Sequence, residues 1–139
     1  MNAKTIQQSV FLYVEDNESN RTVIQLLLQK AMKAKELVMF ENSSCFLERV
    51  KALPECPDVF LLDIHVKPYD GFEMLAMLRA DPQYRDAKVI ALTASVMSEE
   101  VKQLRDSRFD GAIGKPLRTS TFPDLLARIL NGEAVWSVS

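Results

Sequence analysis

No stretch of the 139-residue sequence approaches the roughly 20 consecutive apolar residues that a membrane-spanning helix requires, and Met1 to Ser9 is polar, without the apolar core of a signal peptide. A membrane partner is therefore not expected, and the cytoplasm is the expected compartment. Charge of one sign is also lacking: 17 basic against 19 acidic side chains leave a formal net charge of −2, which argues against nucleic acid as a partner held through phosphate contacts. Cysteine is scarce. Cys45, expected on a helix, and Cys56, in the loop Pro54-Glu55-Cys56-Pro57, are the two present, and a reducing compartment is the reading they support. Repeats and low-complexity segments are missing, and His65 is the only histidine.

What is there is ordinary globular composition, 47% hydrophobic and 26% charged. A chain of this length forms one domain and buries roughly 70% of the surface its unfolded form would expose. Short strand-like runs alternate with longer helix-like stretches, the pattern of βα units feeding a parallel sheet. Five units are expected. The strands are Val10 to Val14, Leu37 to Phe40, Val59 to Asp63, Lys88 to Leu92 and Gly111 to Gly114. The helices run over Ser19 to Ala34, Ser44 to Leu53, Gly71 to Ala80, Ser98 to Arg105 and Thr121 to Leu130. In the first helix Val23, Leu26, Leu27 and the stem of Lys30 are expected to face inward, with Asn17 or Ser19 as the cap. Asn131-Gly132 is a helix terminator, which leaves 131–139 as a short tail outside a core of about 10–130. Right-handed crossovers then place helices on both faces, a doubly wound α/β sandwich.

Asp63 closes the apolar run Val59-Phe60-Leu61-Leu62, so it stands at the carboxyl end of a buried parallel strand, where open α/β sheets bind ligands. The run Val10 to Val14 ends in Glu15-Asp16, the run Lys88 to Leu92 ends in Thr93, and Lys115 follows the fifth strand just before Pro116. Three carboxylates brought together repel, and Mg²⁺, a hard cation suited to oxygen ligands, relieves this. Asp63 has the chemistry of a nucleophile that attacks phosphorus to give an acyl phosphate. Thr93 supplies a hydroxyl and Lys115 a point cation for the phosphoryl oxygens. Each residue also has a plainer reading: Glu15 and Asp16 as caps of the first helix, Asp63 and Thr93 as ordinary strand ends.

The strings VEDNESNR, DVFLLDI, DGFEML, VIALTA and GAIGKP resemble, in order and spacing, the response-regulator receiver domains of bacterial two-component signalling, chemotaxis-regulator-like single domains among them. The resemblance runs from about Val10 to Leu130. It implies a flavodoxin-like (βα)5 sandwich whose parallel five-stranded sheet has the order 2-1-3-4-5. It also implies Asp63 as phosphoacceptor and member of the Mg²⁺ site, Asp16 as the direct Mg²⁺ ligand, Glu15 as a ligand through water, and the His65 backbone carbonyl as the remaining ligand. Thr93 and Lys115 complete the catalytic set, with a cis peptide before Pro116. The implied partners are a sensor histidine kinase or histidine phosphotransfer protein and a downstream protein. The implied activity is phosphoacceptance and self-dephosphorylation rather than turnover of an external substrate.

Three positions depart from the family pattern and are read as modulating. Lys67 stands where the family usually has proline, which here comes one residue later. Ala112 stands where a rotating Tyr or Phe is usual, so the switch is expected in the loop Thr93 to Ser98. His65, at the mouth of the site, is either a plain loop residue or one that tunes the lifetime of the acyl phosphate. Two alternatives stay within the family, a phosphorelay carrier and a docking module that is never phosphorylated. Two lie outside it. An Asp-nucleophile phosphohydrolase would need an acid where His65 stands, and a flavin carrier would need a phosphate-binding loop where Glu15-Asp16 would repel the phosphate. The start at Met1 and the short tail fit a complete single-domain regulator.

Overall fold

The computed structural model describes residues 5–94 and 98–137. After a short 3₁₀ turn at Ile6–Gln8 the strands are β1 (Val10–Val14), β2 (Glu36–Phe40), β3 (Val59–Asp63), β4 (Lys88–Thr93) and β5 (Gly111–Gly114). They alternate with helices α1 (Glu18–Ile24), α2 (Phe46–Lys51), α3 (Gly71–Ala80), α4 (Ser98–Asp106) and α5 (Phe122–Leu130). All five residues of β1 and all five of β3 are buried, which is why both read as unbroken apolar runs: helices cover the sheet on both faces. Side chains alternate across each strand. Leu12, Phe60, Leu62, Val89 and Ala112 therefore meet Phe46, Met74, Leu78 and Leu104 of α2, α3 and α4 in one apolar layer. Phe11, Leu61, Ile90 and Ile113 meet Ile24 of α1, Leu28 just beyond its end, and Phe122 and Leu126 of α5 in the other.

A sixth strand, β6 (Val135–Ser137), lies parallel to β5 and makes the sheet order β2-β1-β3-β4-β5-β6. The expected order 2-1-3-4-5 is kept, with one strand more than the expected five added at the β5 edge, and Val135–Ser137 of the expected tail joins the sheet. Gly132, at φ 93, turns the chain after α5, and α5 itself is the crossover that a parallel strand needs. Val135 is 4% exposed on the α5 side, and Trp136 packs against the layer shared with α4.

The first helix ends earlier than expected; of the residues expected to face inward, Leu27 is buried and Val23 packs against the core, whereas Leu26 and Lys30 are exposed. Asn17 caps it, its side chain accepting from the Asn20 amide at 2.9 Å, and it continues as a π-helical stretch, Gln25–Ala31. Ile24, Leu27 and Leu28 face the core, while Leu26 is 50% exposed, because four apolar residues between Ile24 and Leu28 leave the helical phase open to a one-residue rotation. Cys45 is not inside a helix. It is the residue before α2, in the left-handed region at φ 49, and both cysteines are free and exposed. Among the described residues, no helix is long and apolar enough to cross a membrane.

Candidate functional site

The carboxyl ends of β1, β3, β4 and β5 bring the sequence-predicted residues to one edge of the sheet. Oxygens of Glu15, Asp16 and Asp63 lie within 4.8 Å of one another; Glu15 and Asp63 are buried and Asp16 is exposed. At an effective dielectric near 20, a buried pair of carboxylates this close repels by at least about 3.5 kcal/mol. Lys115 offsets part of this. Its ammonium donates to Glu15 Oε1 at 3.0 Å and to Asp63 Oδ2 at 3.2 Å. Partial burial works against the Lys115 charge, but the hydrogen bond to Glu15 and the carboxylates of Asp63 and Glu15 outweigh it, holding its pKa above that of an ordinary lysine. Both oxygens of Asp63 are engaged, Oδ2 by Lys115 and Oδ1 by the backbone N–H of His65 at 3.1 Å. Three converging carboxylates with one exposed member form a set of hard oxygen donors open to solvent, and this fits a divalent cation such as Mg²⁺.

Backbone contacts fix the geometry. The Lys115 amide donates to the Thr93 carbonyl at 2.8 Å, which sets the Lys115 side chain against the end of β4. The Lys115–Pro116 peptide is cis, as expected, and Lys67–Pro68 is cis as well. Lys67 is exposed, and the loop that carries it is held by Ser43. The Ser43 amide donates to the Lys67 carbonyl at 3.1 Å, and its hydroxyl bonds the carbonyl and the amide of Tyr69 at 2.6 and 2.7 Å. The His65 side chain is 65% exposed. The loop Thr93 to Ser98 is described only in part, since residues 95–97 lie outside the described residues.

Three contributors escaped the sequence reading. Tyr13 lies two residues before Glu15 on the same face of β1, and its hydroxyl donates to Glu15 Oε1 at 2.8 Å. That oxygen also accepts from Asn20 Nδ2 at 3.3 Å and from Lys115, so it carries three donors. Burial, then the charge of Glu15 and the hydrogen bond to it, push the Tyr13 phenol far above its ordinary pKa, so it remains a donor. Period-two alternation was the signal that could have found it. Glu100 of α4 is the second: its Oε1 accepts from the Thr93 hydroxyl at 3.2 Å and lies 3.6 Å from His65 Nε2. The third is Trp136. Ala112, fully buried, pairs in register with Trp136 of β6, so the two side chains share the face toward α4, where the Arg105 guanidinium lies 5.5 Å from the indole centroid. An aromatic side chain of the neighbouring strand thus stands beside Ala112 on that face.

A family model described as the response regulator receiver domain matches residues 11–129. The polar-differentiation response regulator DivK of Brucella anthropi is 27% identical over 119 residues, covering 86% of this chain and 94% of that protein. Hybrid signal transduction histidine kinase A of Dictyostelium discoideum is 30% identical over 120 residues, and the histidine-protein kinase BarA of Shigella flexneri 28% over 124 residues. These matches cover 84% and 89% of this chain but only 5% and 13% of the kinases. Among solved structures, the chemotaxis response regulator CheY4 of Vibrio cholerae superposes with a TM-score of 0.77 at 23% identity, covering 88% of this chain and 98% of that one. The receiver domain of sensor histidine kinase PA1611 from Pseudomonas aeruginosa, described with magnesium in its active-site cleft, superposes with a TM-score of 0.73 at 22% identity, covering 88% and 98%.

Proposed function

Because this chain belongs to the response regulator receiver domain family, we propose that it is a single receiver domain that takes a phosphoryl group on Asp63 from a phosphohistidine of a sensor kinase or phosphotransfer protein, and signals through protein contacts that depend on that modification. The observation that carries this reading is the state of the Asp63 carboxylate. It is 4% exposed, one oxygen is held by the His65 amide and the other by Lys115, and the acidic pair of β1 lies beside it. In the transfer, an Asp63 oxygen forms a bond to phosphorus as the phosphorus–nitrogen bond of the donor breaks, and the electron pair leaves with the imidazole, which then takes up a proton. Lys115 remains beside the phosphoryl oxygens, and Thr93 offers its hydroxyl from the end of β4.

Asp16 and Asp63 would hold Mg²⁺ directly and Glu15 through water, with the His65 carbonyl completing the protein ligands. The three donors already on Glu15 Oε1 support the indirect role for that residue. When bound, the ion supplies positive charge against the phosphoryl oxygens. The cytoplasm is the proposed compartment, one in which the exposed thiols of Cys45 and Cys56 stay reduced. A docking module that is never phosphorylated is not favoured, since Asp63, Lys115 and the acidic pair of β1 converge at one point. A relay carrier is not favoured either, given the similarity to DivK along nearly all of that protein.

The test is incubation with acetyl phosphate and Mg²⁺ followed by intact mass measurement. Wild type should gain one phosphoryl group and Asp63→Asn none. An unmodified wild-type mass under conditions that label a control receiver would refute the reading.

A further inference from the structure

Glu100 reaches from α4 into the site, where it bonds one side chain and approaches a second. Its Oε1 accepts the Thr93 hydroxyl at 3.2 Å and lies 3.6 Å from His65 Nε2, and its side chain is only 21% exposed. Thr93 is fully buried at the end of β4, beside the end of β3 that carries Asp63. A threonine hydroxyl has a single proton to donate. While that proton points at Glu100, it cannot also bond an oxygen of a phosphoryl group on Asp63.

We propose that Glu100 is a positioning residue of this site: it holds the Thr93 hydroxyl toward α4, so that closing the site around a phosphoryl group requires the Thr93–Glu100 bond to be exchanged for a Thr93–phosphoryl bond. The inference rests on Asp63 being the phosphoacceptor. Charge acts in the same direction, because a carboxylate beside a newly arrived anion is repelled. Helix α4 then inherits the exchange. It is held at one end by Glu100 and toward the other by the buried Leu104 and by Arg105 over the Trp136 ring of β6, so releasing Glu100 frees the end nearest the site.

The probe is beryllofluoride with Mg²⁺, titrated into the whole chain and followed by backbone amide chemical shifts, in wild type, Glu100→Ala and Glu100→Gln. Alanine removes the acceptor, whereas glutamine keeps a carbonyl oxygen at the same reach and loses the charge. Glu100→Ala should reach half-saturation at a roughly tenfold lower beryllofluoride concentration, the scale of a hydrogen bond to a charged group. Glu100→Gln, which keeps an acceptor for the hydroxyl but not the charge, should fall between the two. In the free Glu100→Ala protein, the amides of Val101 to Arg105 should already lie shifted toward their positions in the saturated wild type, which a merely structural role would not produce. Wild-type binding with Glu100→Ala unchanged overturns this proposal alone. So does an equal shift in both variants, which would assign the effect to charge rather than to the held hydroxyl. Failure of the wild type to bind beryllofluoride at all overturns the phosphoacceptor reading, and this inference with it.

Discussion

Gly71→Ala should both destabilise the protein and disturb Asp63. Gly71 opens α3 behind the cap formed by Asp70, whose carboxylate accepts from the Glu73 amide at 2.8 Å while the Glu73 side chain accepts from the Asp70 amide at 3.1 Å. The sequence suggests a glycine that lets the chain turn, yet among the described glycines Gly132 alone has a positive φ; what position 71 requires is room. A Cβ there would stand 2.7 Å from Ile64 Cδ1, 2.9 Å from Ile64 Cα and 3.3 Å from the Asp63 carbonyl, where ordinary contacts begin near 3.4 Å. The Ile64 side chain can swing away, but its backbone is pinned: its amide donates to Leu92 at 3.3 Å and its carbonyl accepts from Gly71 at 3.0 Å. Either α3 or the end of β3 must therefore move by about 0.5 Å. Two effects compete. Alanine restricts the unfolded chain, a gain of about 0.4–1 kcal/mol, whereas overpacking costs about 1–3 kcal/mol. Overpacking wins, and a net loss of about 1–2 kcal/mol lowers Tm by roughly 3–8 °C in a domain of this size. The displacement falls on the peptide next to the His65 amide that holds Asp63, so labelling by acetyl phosphate, measured at a temperature where both proteins are folded, should slow as well. A Tm at or above that of wild type would refute the reasoning, since it would mean that α3 moves aside without resistance.

Glu15 and Asp16 should separate cleanly. Asp16→Ala, at an exposed position, should lose at least about tenfold in Mg²⁺ affinity by calorimetry with little change in Tm, as removal of a direct carboxylate ligand implies. Glu15→Ala should retain more of that affinity but lose roughly 1–3 kcal/mol of stability, because it strands the buried Tyr13 hydroxyl and leaves Lys115 with Asp63 as its one remaining carboxylate; the reverse pattern would contradict the roles assigned. Tyr13→Phe deletes one hydrogen bond to an ionised carboxylate and leaves almost no void, so a loss of about 1–2 kcal/mol in urea denaturation is expected, and unchanged stability would show that Glu15 is held well enough by Lys115 and Asn20.

Legibility in the sequence followed how each feature is encoded. β1 and β3 could be bounded to the residue because a wholly apolar run stops at a charge, Glu15 in one case and Asp63 in the other; the same stops located the site. The phase of α1 could not be read in the same way, since apolar residues from Ile24 to Leu28 satisfy more than one face and tertiary packing chose between them. β6 was hidden for a different reason. Three residues make no strand alone, and Val135–Ser137 is one only because β5 offers an unpaired edge. The contact between Thr93 and Glu100 joins a strand end to a helix placed by its own packing, so no local pattern announces it. Tyr13 was readable, because alternation along β1 sets it on the same side as Glu15.

The chain contains one tryptophan, and it is the residue that stands opposite Ala112 and beneath Arg105. The protein consequently carries a single-site optical reporter, and that reporter sits at the seam between β6 and α4 rather than among the carboxylates. Indole emission excited at the red edge will register whether that seam admits water. A cation arriving at Glu15, Asp16 and Asp63 without disturbing α4 should leave the emission where it was, and a change in it means that an event at the sheet's carboxyl edge has been carried along the helix.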